Sequence, residues 1–260
     1  MNKQFLVSFL FFVSSSLAFE GMYTPEFIEW CIQTKEAYPQ PYYPIISLGN
    51  NCQIAYQLRV HGLRYEAFPF DWIICPFETL IALIENGFEH FLAPEYLVFV
   101  HNEKEKHIAN TFYGIKFLHD FKLNPNFMED YEKIKTTYER RIKRFYQKLS
   151  DPCRALVIRR KISKEQTIQL KTTLQKKFPL VDFLILAVDN TLEIKGDWQL
   201  EQIKNYYMPV GPEQTWKGDT ALWTDLFIKL DLQISLEEPQ DGLFKASSAQ
   251  LSYYFSPLGK

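Results

Sequence analysis

The 260-residue sequence has only four cysteines, Cys31, Cys52, Cys75 and Cys153, and no two of them form a C-x-x-C pair. That argues against a zinc site made of cysteines. Glycine is also scarce, ten in all, and neither a phosphate-binding glycine loop nor a G-x-S-x-G elbow occurs, so two common nucleotide-binding and serine-hydrolase signatures are absent. An excess of one charge is missing as well. The 29 basic and 31 acidic residues leave a formal net charge of −2, which gives no general electrostatic case for nucleic acid or an anionic membrane as partner. No internal repeat or low-complexity segment is found, and no cofactor is implied.

What is present reads as one globular domain able to bury a full core, with 47% hydrophobic and 23% charged residues. The aromatic share, 16%, suggests a core or groove built on rings. Residues 1–18, MNKQFLVSFLFFVSSSLA, combine a lysine, an apolar core and a small-x-small end. This pattern predicts a secretory signal peptide, because the core is shorter than the ~20 residues a spanning helix needs. The expected organisation is a signal peptide at 1–18, a helix and proline-rich lead-in at 19–42, an α/β domain at 43–245 and a peripheral tail at 246–260. Export to a periplasmic or secreted location follows, with no membrane span after cleavage. In an oxidising compartment the four cysteines allow three full pairings, and an unpaired Cys52 leaves room for at most one disulfide among Cys31, Cys75 and Cys153.

The stretch YPIISLGNNCQIAYQL, from Tyr43, places an apolar strand, a tight turn, a cysteine and a helix start in succession. Asn50 and Asn51 are candidate helix caps. Cys52 falls at the first turn of the helix, where free N–H groups and the helix dipole favour a thiolate. The competing role for Cys52 is that of a small buried hydrophobe.

The blocks SLGNNCQIAYQLRVHGLRYEAFPFDW and PFETLIALIENGFEHF, continued by LHDF, YERRIKRF and ALVIRR, resemble the signature of a bacterial family of unknown function described as papain-like cysteine peptidases. The resemblance implies a cysteine nucleophile at Cys52 and a histidine downstream; it does not supply the substrate, a peptide or other acyl compound.

Five histidines are available for that role. His119 ends the strand-like run 111–121 and is the preferred base; His101 is weaker, His61 and His90 sit beside helix ends, and His107 lies in a charged segment between strands 96–101 and 111–121. Asp71, within Phe68-Pro69-Phe70-Asp71-Trp72, either orients a histidine or serves as a turn cap or arginine partner, with Arg140 or Arg141 within the candidates. Asp189, after the run 183–188, is the other carboxylate able to orient His119. Backbone N–H groups around Asn50, Asn51 and Gln53 would meet an oxyanion, and Trp72 would line the site.

Helices are expected at 24–37, 76–90, 127–149, 163–177 and 221–229. Buried strands are expected at 155–158 and 183–188, and an edge strand at 230–236. Continuous apolar strands alternating with helices predict an α/β fold with a mainly parallel or mixed sheet and helices on both faces; a papain-like α+β arrangement is the alternative. In such sheets, sites form beyond the carboxyl ends of strands, the position expected for Cys52, His119 and Asp189. Together these features predict an exported cysteine hydrolase or acyltransferase. Its alternatives are a non-catalytic secreted module with an aromatic ligand groove and a distant relative of SGNH-type esterases, which lacks the serine expected just after Gly49.

Overall fold

In the computed structural model, which describes residues 40–210 and 215–236, the chain builds two four-stranded sheets. The first is parallel, in the order β1-β6-β7-β8, from Ile45–Ser47, Cys153–Arg160, Val181–Asp189 and Ile203–Tyr207. The second is antiparallel, in the order β2-β5-β4-β3, from Ile73–Ile74, Ile115–Phe117, Lys106–Asn110 and Leu97–His101. Five helices accompany them: α1 Gln53–Val60, α2 Phe77–Asn86, α3 Tyr131–Ser150, α4 Lys164–Lys177 and α5 Thr220–Lys229. The fold is α/β, as the alternation of apolar runs and helical patterns implies, with no closed barrel among the described residues. The signal peptide, the 24–37 helix and the 246–260 tail lie outside those residues.

Local chemistry accounts for most of the parallel half. Ala155, Leu156, Val157 and Ile158 are each fully buried, as are Ile185, Ala187 and Val188, and such two-sided burial is what turns parallel strands into unbroken apolar runs. Ser163 accepts from the Gln166 backbone N–H while the Gln166 side chain accepts from the Ser163 N–H, a reciprocal cap that starts α4. Gly87, at φ +76°, ends α2 in the left-handed conformation that lacks a Cβ penalty. The aromatic residues largely form core. Phe91 and Phe117 pack on Tyr138 with ring centroids 5.1 and 5.8 Å away, and Phe145 packs on Phe70 and Phe88.

Three expectations are corrected. Asn102 accepts from both Lys104 N and Glu105 N, which tightens the 102–105 turn, so a strand begins at Lys106 and pairs with β3. His107 is therefore a core residue of β4, 2% exposed, rather than part of a charged loop. Residues 230–236 form no strand. Leu232 instead packs into the main core cluster, and the Ser235 N–H donates to the His61 carbonyl. The edge strand of the parallel sheet is β8, a polar segment, IKNYY, whose ladder with β7 runs from Ile185–Ile203 to Asp189–Tyr207.

Candidate functional site

The turn from β1 into α1 is built by two successive left-handed residues, Gly49 at φ +77° and Asn50 at φ +72°. A Cβ on Gly49 would stand in ordinary contact, 3.4 Å from both Arg159 Nη1 and Cys75 Cβ, so it is the backbone angle that calls for glycine. Arg159, 1% exposed, donates through Nη1 to the Leu48 carbonyl at 2.6 Å and through Nη2 to the Cys75 carbonyl at 2.8 Å. Burial lowers its pKa to about 10, so it remains a cation at neutral pH. It ties the end of the parallel sheet to the segment after β2, directly beneath the turn. Asn51 Oδ1 then accepts from the Gln53 N–H at 3.0 Å, while the Cys52 carbonyl accepts the first helical bond, from Tyr56 N. Cys52 is thus the N-cap residue of α1.

Cys52 is fully buried and packs with Tyr56, Val60, Leu118 and Trp216, with the half-buried Trp72 and Ile74 alongside. Burial, and secondarily the Asp120 carboxylate, push the thiol far above its ordinary value, while its own backbone N–H opposes the shift. The expectation that the helix start ionises this thiol is corrected for this conformation. A helix dipole contributes about 0.3–1 kcal/mol, less than one pKa unit at about 1.4 kcal/mol, and desolvation of a sealed sulfur exceeds that.

His119 follows β5, so it reaches the site from the antiparallel sheet and not from the carboxyl edge of the parallel one. Its ring lies 6.1 Å from that of Trp72 and 6.1 Å from that of Trp216, the same two tryptophans that pack around Cys52. Burial lowers the imidazole pKa and Asp120 partly restores it. Asp120 accepts from Tyr138 Oη at 2.6 Å and from Arg141 Nη1 at 3.2 Å, which fixes its carboxylate beside the site.

The two carboxylates proposed from sequence are engaged elsewhere. Asp71 accepts from Arg64 Nε at 2.9 Å and Nη2 at 2.7 Å, and from Phe68 N at 3.0 Å. It is an arginine partner and turn cap, with Arg64 in place of Arg140 or Arg141. Asp189 accepts from Asn190 N and Thr191 Oγ1 and faces the charge of Arg160. Trp72 stands at the site with the Arg64 guanidinium 5.4 Å above its ring. Asn50 shapes the turn and Gln53 is buried under Gly218. Sequence reasoning missed Asp120, though the adjacent His119-Asp120 pair is a usable signal, and missed Trp216, which no local pattern connects to Cys52.

The other histidines have distinct places. His61 is buried, with Nδ1 donating to the Gln57 carbonyl at 2.8 Å; His101 is exposed at the end of β3. Burial lowers the pKa of His61, His107 and His119 alike. A histidine whose folded pKa lies below its unfolded value resists protonation in the native state. The stability this gives is complete above the unfolded value, about 6.5, and is lost as pH falls below it. Urea midpoints should therefore drop between pH 7.5 and pH 5.5; an unchanged midpoint would show that these imidazoles titrate normally.

Cys75 is also buried and its thiol is pushed up to about 12 by burial, with Arg159 opposing. No disulfide joins Cys52, Cys75 and Cys153 to one another.

Fold and site together define an α/β protein with a cysteine at a strand-to-helix turn and a histidine brought in from a second sheet. The chain belongs to the family described as "Putative papain-like cysteine peptidase (DUF1796)", whose model matches residues 43–190. It is also similar to "Uncharacterized protein R408" of Acanthamoeba polyphaga mimivirus, 27% identical over 216 residues, covering 70% of this chain and 96% of the viral protein. No solved structure matches the chain.

Proposed function

We propose that the protein is an exported cysteine-dependent hydrolase or acyltransferase, peptidase-like in kind, with Cys52 as nucleophile and His119 as general base. The observation that carries this reading is the shared environment of Cys52 and His119, two residues of the matched family region that lie beside the same two tryptophans, Trp72 and Trp216. Once substrate reaches the site, His119 would take the Cys52 proton as sulfur adds to the acyl carbonyl. The imidazolium would then return that proton to the leaving group as the tetrahedral intermediate collapses to a thioester, and water or an acceptor would release the acyl group. With the Gln53 N–H held by Asn51, the Cys52 N–H would serve as the oxyanion donor. Asp120 takes the positioning role for His119 in place of Asp71 or Asp189.

The buried, protonated state of Cys52 favours one alternative, a non-catalytic secreted module in which the cysteine is core. An iodoacetamide experiment separates the two. The catalytic reading expects Cys52 to be alkylated well ahead of Cys75, although both are buried to the same degree, and expects Cys52→Ser to abolish any acyl-transfer activity the wild type shows. Equal, slow modification of both thiols would leave the binding-module reading in its place.

A further inference from the structure

Residues 215–219, TWKGD, lie beyond the matched family region and rest on the N-terminal half of α1. The Gly218 N–H donates to the Thr215 carbonyl, closing a turn. On one side of it the Trp216 indole, 5% exposed, packs on Cys52 and stands 5.2 Å from the Tyr56 ring. On the other the Lys217 carbonyl accepts from Gln57 Nε2 at 2.7 Å. Gly218, at φ +74°, presses so closely on Gln53 that a Cβ there would collide with the Gln53 side-chain amide. Asp219 then caps α5 by accepting from Ala221 N and Leu222 N.

Beneath this turn two polar atoms are left over. Gln53 and Gln57 are buried, at 5% and 0% exposure, and the side-chain oxygen of each has no hydrogen-bond partner. An orphaned buried acceptor is costly, and two of them one turn apart on the helix that Cys52 caps need a reason. Amide side chains in that register suit a peptide backbone, whose carbonyl takes the NH2 group and whose N–H meets the oxygen. The present turn meets only the first half of that requirement.

We propose that the 215–218 turn occupies the subsite of a peptide substrate. Trp216 fills the place of a bulky apolar side chain, the Lys217 carbonyl stands for a substrate carbonyl on Gln57, and the Gln53 and Gln57 oxygens are acceptors for substrate backbone N–H groups. Cys52 is sealed because its own chain occupies the groove. This rests on the cysteine site proposed above, but its test needs no turnover.

Full-length Gly218→Ala, which unseats the turn through strain and collision, is labelled with N-ethylmaleimide and each thiol is followed by mass spectrometry, with Cys75 as the internal reference. Trp216→Ala serves as a second variant should the first fail to fold. Cys52 is expected to label at least about tenfold faster than in the wild type while Cys75 is unchanged, since a side chain forced into the left-handed region shifts a local equilibrium by about that factor. Acetyl-Thr-Trp-Lys-Gly-amide added in millimolar excess should slow Cys52 labelling again, and the same peptide with alanine for tryptophan should not. Parallel acceleration of Cys52 and Cys75, acceleration of neither, or failure of the tryptophan peptide to protect would each overturn the proposal. Protection by the peptide in a protein whose Cys52→Ser variant has unaltered hydrolysis would retain the subsite and remove the catalytic reading.

Discussion

Asp71→Ala is expected to destabilise the protein by about 2–4 kcal/mol, read as a shift in the urea midpoint. The carboxylate is 2% exposed and receives three hydrogen bonds, two from Arg64 and one from the Phe68 N–H. Removing it leaves a buried backbone donor without a partner, at about 1–3 kcal/mol. It also leaves a guanidinium that is only 17% exposed with no counter-charge; partial solvent access keeps that part of the cost below the range for a fully buried pair. Because Asp71 holds the 64–72 segment, and with it Trp72, the milder Asp71→Asn should lose stability while keeping the relative reactivity of Cys52 over Cys75. A variant of normal stability with a selectively inert Cys52 would instead assign Asp71 to the catalytic machinery.

The larger effect on chemistry is expected from His119→Asn. A positioned general base contributes about 10²–10⁴ in rate, so any Cys52-dependent acyl transfer should fall by that order near neutral pH, with folding retained. Asp120→Asn should act in the same direction and more weakly, because Asp120, held by Tyr138 and Arg141, supports the His119 imidazolium while its charge also opposes ionisation of Cys52. Its mark would be a changed pH profile, which a purely structural loss would not produce.

The parts of the fold that local chemistry decides were legible in the sequence. The Ser163–Gln166 cap, the acids-early and bases-late order of α3 and the apolar runs of β6 and β7 are each specified by residues within one or two turns of each other. The β1–turn–α1 unit was equally clear, since Gly49, Asn50 and Asn51 carry turn and cap chemistry in their own side chains or lack of them. What was not legible is which of several competing partners each group takes. Strand β4 starts at Lys106 because the Asn102 side chain closes a shorter turn than the charge pattern suggests. Arg64, seven residues before Asp71, wins that carboxylate over Arg141, which the fold delivers to Asp120. β8 is polar because it lies at a sheet edge, and residues 230–236 are apolar because they cover the core without pairing.

The site shows the same division. Cys52 was singled out from its own neighbours, but its burial was not, because the cluster that encloses it includes Leu118 and Trp216, which the sequence leaves far away. His119 was found from its strand, and that strand belongs to the antiparallel sheet. The expectation that placed His119 near Cys52 rested on the parallel sheet, which does not carry it.

Alkylation of Cys52 across pH 5–9, in the wild type and in His119→Asn, tests most directly whether these two residues act together. If the imidazole draws the thiol proton when the site opens, the wild-type profile will rise near neutral pH and the variant's will move at least about one unit to the alkaline side, the displacement that corresponds to about 1.4 kcal/mol of lost interaction. Superimposable profiles would contradict the account, leaving Cys52 as a core thiol and His119 as its bystander.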